Sequence, residues 1–163
     1  MQLKKLFEMQ KALDSHIEEK HQLQNEDLFD RKVLALLVEI GELANETRCF
    51  KFWSVKPSSD KAVILEEFVD GIHFILSLGI ECGFNNIEIN LRRKQSTSDV
   101  TEQFLIVYET IGLFQKSKKF DDYIKVFEAY LQLASLLGFN EKEMEQAYFL
   151  KNEVNYQRQQ NNY

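Results

Sequence analysis

The sequence has few of the residues that interrupt helices, with one proline and six glycines among its 163 residues. Both types destabilise helix interiors, because proline lacks a backbone N–H and glycine loses the most conformational entropy on folding. Apolar residues recur at helical spacing over long runs, and no clear segment alternates as a half-buried strand does. We therefore predict an all-α protein, and its length suits a single domain over residues 1–163.

Other features are missing, and each absence argues against a class of protein. Cys49 and Cys82 fall in no zinc-type Cys or His spacing, which indicates free thiols in a reducing compartment. No GxxxxGK[ST] loop is present, which excludes a P-loop mechanism. The first residues lack the apolar core and cleavage site of a signal peptide, and no apolar run is long enough to span a membrane. These absences predict a cytoplasmic protein without a membrane partner.

The charge balance argues against nucleic acid as a partner. The chain has 26 acidic and 20 basic residues, for a net charge of −6. A surface that binds phosphate backbones needs clustered Lys and Arg, whereas most of those present here are scattered.

The periodicity predicts six long helices, over residues 2–20, 27–48, 60–82, 98–116, 120–137 and 141–158. Gly83 and Gly138 follow apolar helices and are expected as their C-terminal residues. Ser59 or Asp60 is expected to cap the third helix, and Asn140 with Glu143 predicts a capping box on the last. Residues 85–95 fit a short helix or a connecting arm. The short connections predict neighbouring helices packed antiparallel as a bundle.

Two helical runs, residues 34–50 and 62–78, are apolar on almost every face, yet each carries two acids three residues apart. A helix that is apolar all round is usually buried, and an unpaired buried carboxylate is costly. Residues at i and i+3 are neighbours on one helix face. Few Lys or Arg lie inside these runs, so we predict a divalent cation between the two helices. Its predicted ligands are Glu39, Glu42, Glu67 and Asp70.

Four carboxylates without His or Cys form a site of hard oxygen ligands, which favours Mg²⁺, or Mn²⁺ in its place, over zinc. Mg²⁺ usually keeps several waters and binds substrate phosphates through them. The reaction that suits such a site is attack of a metal-activated water on a phosphate chain, such as the pyrophosphate linkage of a nucleotide. An isolated ExxE pair is usually a solvated helix face, but two pairs in neighbouring apolar helices favour a metal site.

Two further segments supply groups for a nucleotide. In the loop of residues 50–60, Lys51 and Lys56 offer charge for phosphates, and Trp53 offers a flat face for a base or is simply a core residue. The last helix is rich in hydrogen-bonding groups, although read alone it fits an exposed helix that runs into a disordered tail. The candidates in this helix are Tyr148, Lys151, Asn155 and Arg158.

Three polar residues lie in otherwise apolar surroundings. Gln10 and Asp14 share one register of the first helix, which is unusual for a packing face. His73 lies one turn beyond Asp70 and fits a ligand contact or a satisfied core histidine equally well.

Four blocks of sequence resemble the all-α nucleotide pyrophosphatases, the superfamily of MazG and the dimeric dUTPases. The likeness is greatest to the dimeric dUTPases of Gram-positive bacteria and their phages. The order and spacing of the blocks make the resemblance more specific than the acid pairs alone. The blocks are MQKALD (9–14), LLVEIGELANETRCFKFWS (36–54), LEEFVDGIHFILSLG (65–79) and AYFLKNEVNYQRQ (147–159).

The resemblance implies an obligate homodimer that hydrolyses the deoxyribonucleoside triphosphate dUTP to dUMP and pyrophosphate. It implies Mg²⁺ bound by the four acids, with Glu39 or Glu42 orienting the attacking water as general base. It also implies a role in phosphate and sugar binding for the C-terminal block, through Lys151, Asn155 and Arg158. The base and deoxyribose pocket is implied to include Gln10, Trp53 and His73.

One position departs from the pattern of the family. Some dimeric dUTPases have Asn where this chain has Asp14. An Asn amide pairs with both O4 and N3–H of uracil, whereas an ionised Asp only accepts and suits the amino group of cytosine equally well. The interpretation is therefore a dUTP diphosphatase, with a dCTP or broader dNTP pyrophosphatase of the same fold as the alternative. A non-catalytic helical interaction module is a second alternative.

Overall fold

The computed structural model describes residues 1–92 and 99–161, which form six α-helices, one short 3₁₀ helix and no strand. The all-α prediction is confirmed, and every predicted helix end in this part of the chain lies within two residues of the observed one. The predicted start at Ser98 lies outside the described residues. The helices are α1 (Leu3–Lys20), α2 (Phe29–Thr47), α3 (Lys61–Glu81), α4 (Val100–Ser117), α5 (Phe120–Leu136) and α6 (Glu141–Gln160).

Helices α2 and α3 pack antiparallel, as predicted, and α4 packs against α5, whereas the other sequence-adjacent long helices make few contacts with each other in the described part of the chain. Near the end of α2, the backbone N–H of Ser59 donates to the carbonyl of Glu46 at 3.0 Å. At the other end of the pair, Lys32 near the start of α2 forms an ion pair with Glu81 at the end of α3. These two contacts fix the register that places the middle of α2 against the middle of α3.

Helix α3 lies at the centre of the bundle and contacts α1, α2, α5 and α6. Its mostly apolar sequence suits this position, since ten of its residues are buried. Helix α2 differs from the prediction that it is buried on all faces. Leu34 and Val38 of α2 are 63% and 50% exposed, because α2 packs with one side against α3 and α4 and leaves the other open.

Two glycines of α3 allow tyrosines of α5 to approach its backbone. A Cβ atom at Gly71 would overlap the hydroxyl of Tyr130 and lie 2.6 Å from its Cζ. At Gly79 a Cβ would lie 2.7 Å from Cζ of Tyr123. Any larger residue at either position would therefore push α5 away from α3.

Helix ends follow the predicted local chemistry in most cases. Gly83 and Gly138 have φ of 74° and 77°, the left-handed conformation that favours glycine after a helix. Asn140 and Glu143 form the predicted capping box, with distances of 3.0 Å and 2.9 Å. Asp60 occupies the N-cap position of α3 without a side-chain capping bond.

The 3₁₀ helix Phe84–Asn86 starts the segment whose structure the sequence left open. From residue 87 to residue 92 the backbone is irregular, so this part is a connecting arm. The rest of that segment, to residue 95, lies outside the described residues. Among the described helices, none is both long and apolar enough to cross a membrane.

Candidate active site

Helices α2 and α3 bring three of the four predicted metal ligands together. One carboxylate oxygen of each of Glu39, Glu67 and Asp70 lies within 4.8 Å of those of the other two. The antiparallel register places Glu39 opposite the pair on α3, and the i, i+3 spacing puts Glu67 and Asp70 on one face. All three are partly buried, whereas Glu42 is exposed and lies outside the group.

Burial and neighbouring negative charges raise the pKa of all three carboxylates. Burial raises the pKa of Glu39 to about 7, helped by the negative charges of Asp70, Glu42 and Glu67. Burial also raises the pKa of Glu67 and of Asp70, and the charge of Asp70 adds to the effect on Glu67. Like charges this close disfavour one another's ionised form. A divalent cation would remove this cost, and oxygen ligands alone suit Mg²⁺ or Mn²⁺.

Lys151 of α6 balances part of this charge. Its Nζ lies 2.7 Å from Oδ2 of Asp70 and 2.9 Å from Oε1 of Glu66, and its side chain is buried. The hydrogen bond and charge of Lys151, together with the charge of Arg158, oppose the rise that burial causes in the pKa of Asp70. The site therefore combines three carboxylates with cationic side chains from the last helix. This arrangement suits a substrate whose phosphates bind a metal ion.

A cavity of about 340 Å³ opens beside Glu39 and Asp70, between α1, α3 and α6. Five of the residues predicted to bind substrate line it, although they lie far apart in the sequence. They are Gln10, Asp14, His73, Asn155 and Arg158.

A hydrogen-bonded chain fixes the polar end of the cavity. Oε1 of Gln10 accepts from the hydroxyl of Tyr148 at 2.8 Å and lies 2.7 Å from Nδ1 of His73. Nε2 of Gln10 donates to Oδ1 of Asp14 at 2.7 Å. The reversed amide would point its oxygen at a carboxylate, so this orientation is favoured and Nδ1 of His73 carries the proton. Nε2 of His73 is then a bare acceptor, buried without a partner in the described part of the chain.

Asp14 is a further carboxylate that lines the cavity. Its Oδ2 accepts from the hydroxyl of Ser77 at 2.5 Å and lies 3.6 Å from Nζ of Lys32. Burial raises the pKa of Asp14, while Lys32, Ser77 and Gln10 oppose that rise. Asp14 thus presents a carboxylate whose two oxygens are held in place by neighbouring donors.

The profile of one protein family, described as dUTPase, matches residues 2–163. The chain is a member of the dUTPase family. It is a dUTP pyrophosphohydrolase, as the sequence predicted, and the match decides against the non-catalytic interaction module. A search of curated proteins finds no match.

Among the residues of this dUTPase that line the cavity without having been predicted are two polar neighbours of Asp14, Ser77 and Lys32. Ser77 extends a stripe of α3 that already holds Asp70 and His73, at spacings of three and four residues, so periodicity could have found it. Lys32 offers no such signal, because a lysine in the first turns of an amphipathic helix is common on solvated faces.

Several predicted residues lie outside the cavity of their own chain. Lys51, Trp53 and Lys56 belong to the loop after α2, where Trp53 is 64% exposed and packs edge-on against Phe52 at 5.0 Å. Tyr148 and Lys151 are buried behind the residues that line the cavity. Tyr148 donates a hydrogen bond to Gln10, and Lys151 forms an ion pair with Asp70. Direct contact of these five with the nucleotide stays a prediction.

Proposed function

We propose that the hydrolysis of dUTP by this protein requires a divalent metal ion, Mg²⁺ or Mn²⁺ in its place, bound by Glu39, Glu67 and Asp70. The observation that carries the proposal is the grouping of three carboxylate oxygens within 4.8 Å of one another at the mouth of a cavity. The raised pKa of Glu39, to about 7, adds support, because the group is unfavourable without a cation.

Each acid has a role in this proposal. The bound ion supplies Lewis-acid chemistry, which activates water and offsets the charge of the phosphates. Glu39, Glu67 and Asp70 provide the oxygen ligands. Glu42 is exposed one turn from Glu39 and within electrostatic reach of it, so it is placed to complete the ligand set or to orient the attacking water.

The cationic end of α6 binds the phosphates. Arg158 lines the cavity and acts on the charge of Asp70, and Lys151 already contacts Asp70. Because both side chains lie beside the acidic group, they can hold phosphate oxygens while the acids hold the ion. Asn155, between them on the same helix, adds a neutral donor for the sugar or a phosphate.

Gln10 and Asp14 recognise the base by hydrogen bonds. The chain from Tyr148 and His73 turns the Gln10 amide so that its NH₂ faces Asp14, which leaves its second N–H for a base carbonyl. Asp14 accepts from N3–H of uracil. The stacking of His73 on Tyr148, with ring centroids 4.1 Å apart, makes a flat wall for the deoxyribose beside them.

The same pair of groups favours dCTP as a second substrate. A donor on Gln10 and an acceptor on Asp14 also match N3 and the N4 amino group of cytosine. A dCTP or broader dNTP pyrophosphatase activity on this fold is therefore the second candidate.

A homodimer is supported by the apolar surface of α2 and α4. Leu34 and Val38 on α2, with Leu105 and Leu113 on α4, are each at least 50% exposed. The two helices contact each other, and a groove lined by Leu34, Tyr108 and Gly112 runs between them. Several exposed apolar side chains on neighbouring helices are typical of a protein–protein interface.

The experiment that tests the function is pyrophosphate release from dUTP, dCTP, dTTP and UTP, each with Mg²⁺ and with EDTA. Turnover of dUTP that is lost in EDTA supports the proposal. Turnover that persists in EDTA overturns the role of the metal ion, and a preference for dCTP makes the second candidate the main activity.

A further inference from the structure

The hydroxyl of Tyr130, on a helix that carries none of the proposed ligands, contacts the backbone of α3 next to two of them. It donates to the carbonyl of Phe68 at 2.8 Å, and Phe68 directly follows Glu67 in the chain. The same hydroxyl lies against Gly71, which directly follows Asp70. We propose that Tyr130 is a positioning residue of the metal site, which holds the turn of α3 that carries Glu67 and Asp70 in the geometry that binds the ion. This inference rests on the metal site proposed above.

Three contacts join Tyr130 to this turn. Its ring stacks on the ring of Phe68, with centroids 4.4 Å apart and planes 7° from parallel. Its hydroxyl adds a second hydrogen bond to a carbonyl that already accepts within the helix. Gly71 lets the hydroxyl reach that depth, since a Cβ there would overlap it. Tyr130 and Phe68 are both fully buried, so water cannot replace the hydroxyl.

The turn cannot shift without moving both ligands. Glu67 and Asp70 are three residues apart, and the ion requires their oxygens together with that of Glu39 on the facing helix. Small displacements of the ligands weaken metal binding. Residues that hold the ligands in position are therefore nearly as important for metal affinity as the ligands themselves. Tyr130 also lies near enough for the acids to act on it, because the charges of Asp70, Glu39 and Glu67 add to burial in raising the pKa of its hydroxyl.

The chain contains a matched control for this contact. Tyr123, two turns before Tyr130 on α5, donates to the carbonyl of Ile75 at 3.0 Å and lies against Gly79. Tyr123 is equally buried. Its contacts lie two turns further along α3 than those of Tyr130, beyond the acidic group, and no acid of that group is among the charges that raise its pKa. Removal of either hydroxyl breaks the same kind of bond, but only one bond lies beside the proposed ligands.

The test compares Tyr130→Phe with Tyr123→Phe in the full chain, without nucleotide. Mn²⁺ binding is measured by titration calorimetry, and melting in EDTA reports the cost to the fold. Both variants should melt below the wild type by a similar amount. Tyr130→Phe should raise the Kd for Mn²⁺ about tenfold, the lower end of the range for groups that support metal ligands, while Tyr123→Phe should leave it within about twofold.

The outcomes separate this inference from the metal site itself. Wild-type protein that binds no Mn²⁺ overturns both. Wild-type binding that both variants retain, or that both lose equally, overturns the role of Tyr130 and leaves the metal site in place. If Tyr130→Phe does not fold while Tyr123→Phe does, the Tyr130 hydroxyl serves the fold itself, and a role specific to the metal site is overturned.

Discussion

Nδ1 of His73 donates to Oε1 of Gln10 at 2.7 Å, and this bond sets the chemistry of the polar end of the cavity. It fixes the neutral tautomer of the imidazole and the orientation of the amide at once. Burial, with the charge of Lys151 acting in the same direction, lowers the pKa of His73 to about 3. His73 is therefore neutral at pH values well above 3.

The first prediction concerns pH and stability. Because the pKa of His73 is lower in the folded than in the unfolded protein, its contribution to stability is complete above about pH 6.5 and is lost as the pH falls toward 3. Between pH 7.5 and pH 5, wild-type protein should lose about 2 kcal/mol of unfolding free energy relative to His73→Gln. Denaturant unfolding of both proteins across this range measures the difference.

The comparison with His73→Gln removes the effect of other groups. Asp14, whose pKa is raised, has the opposite sign and gains stability as the pH falls. That contribution is present in both proteins and cancels. If the difference in unfolding free energy between the wild type and His73→Gln does not change with pH, His73 has an ordinary pKa in the folded protein.

The second prediction concerns the acidic group without its ion. Glu39→Gln removes one of several repelling charges, so in EDTA the variant should be at least as stable as the wild type. Mg²⁺ at one hundred times its Kd should stabilise the wild type by about 2.7 kcal/mol and the variant much less. Thermal melts with Mg²⁺ and with EDTA measure both effects, and the variant should lose dUTP turnover.

Glu8→Gln is the control for this experiment, because Glu8 is an exposed glutamate of α1 outside the acidic group. It should respond to Mg²⁺ as the wild type does. Full stabilisation of Glu39→Gln by Mg²⁺ would remove Glu39 from the metal site.

The fold and the acidic group were predictable from the sequence because their signals are local. Helical periodicity predicts the helices, and the glycines after α3 and α5 mark two of their ends. Glu67 and Asp70 are three residues apart, a spacing that makes them neighbours once the segment is a helix. The exposure of Glu42 and Val38 was not predictable. It depends on which side of α2 meets α3, and an almost uniformly apolar helix does not encode that choice. The link from Tyr148 through Gln10 to Asp14 joins two ends of the chain, and no local pattern reports it.

The third prediction concerns the choice of base. Asp14→Asn replaces one acceptor with a donor. Nε2 of Gln10 donates to Oδ1 at this position and should keep the amide oxygen there, so the new NH₂ group can donate to O4 of uracil but would face the amino group of cytosine. The ratio of kcat/KM for dUTP to that for dCTP should rise about tenfold, which corresponds to about 1.4 kcal/mol or roughly one hydrogen bond. Steady-state kinetics with both nucleotides measures it.

Ser77→Ala is the matched control, since it removes a donor to Asp14 without changing the groups offered to the base. It should lower both rates and leave their ratio unchanged. An unchanged ratio in Asp14→Asn would place the base elsewhere.

The fourth prediction concerns the dimer. Leu34→Glu puts a charge at the centre of the exposed apolar surface of α2 and should give monomers, because an unpaired carboxylate in an apolar interface is costly. Leu150→Glu is the control, since Leu150 is as exposed as Leu34, at 67%, but lies on α6. Light scattering during gel filtration measures the mass. A Leu34→Glu dimer would exclude this surface as the interface.

The last prediction uses two glycines within helices. At Gly71 a methyl group would overlap the Tyr130 hydroxyl, so Gly71→Ala should destabilise the protein by about 1–3 kcal/mol, the usual cost of overpacking. At Gly112 of α4 nothing in the same chain lies within 4 Å of a new Cβ. In the Leu34→Glu background, which removes the proposed dimer contact, Gly112→Ala should therefore stabilise the protein by about 0.5–1 kcal/mol through the helix propensity of alanine. Denaturant unfolding measures both. Opposite signs at two helical glycines would show that the α3–α5 contact, and not glycine itself, requires Gly71. A stabilising Gly71→Ala would mean that α5 does not pack as closely on α3 as the hydroxyl of Tyr130 requires.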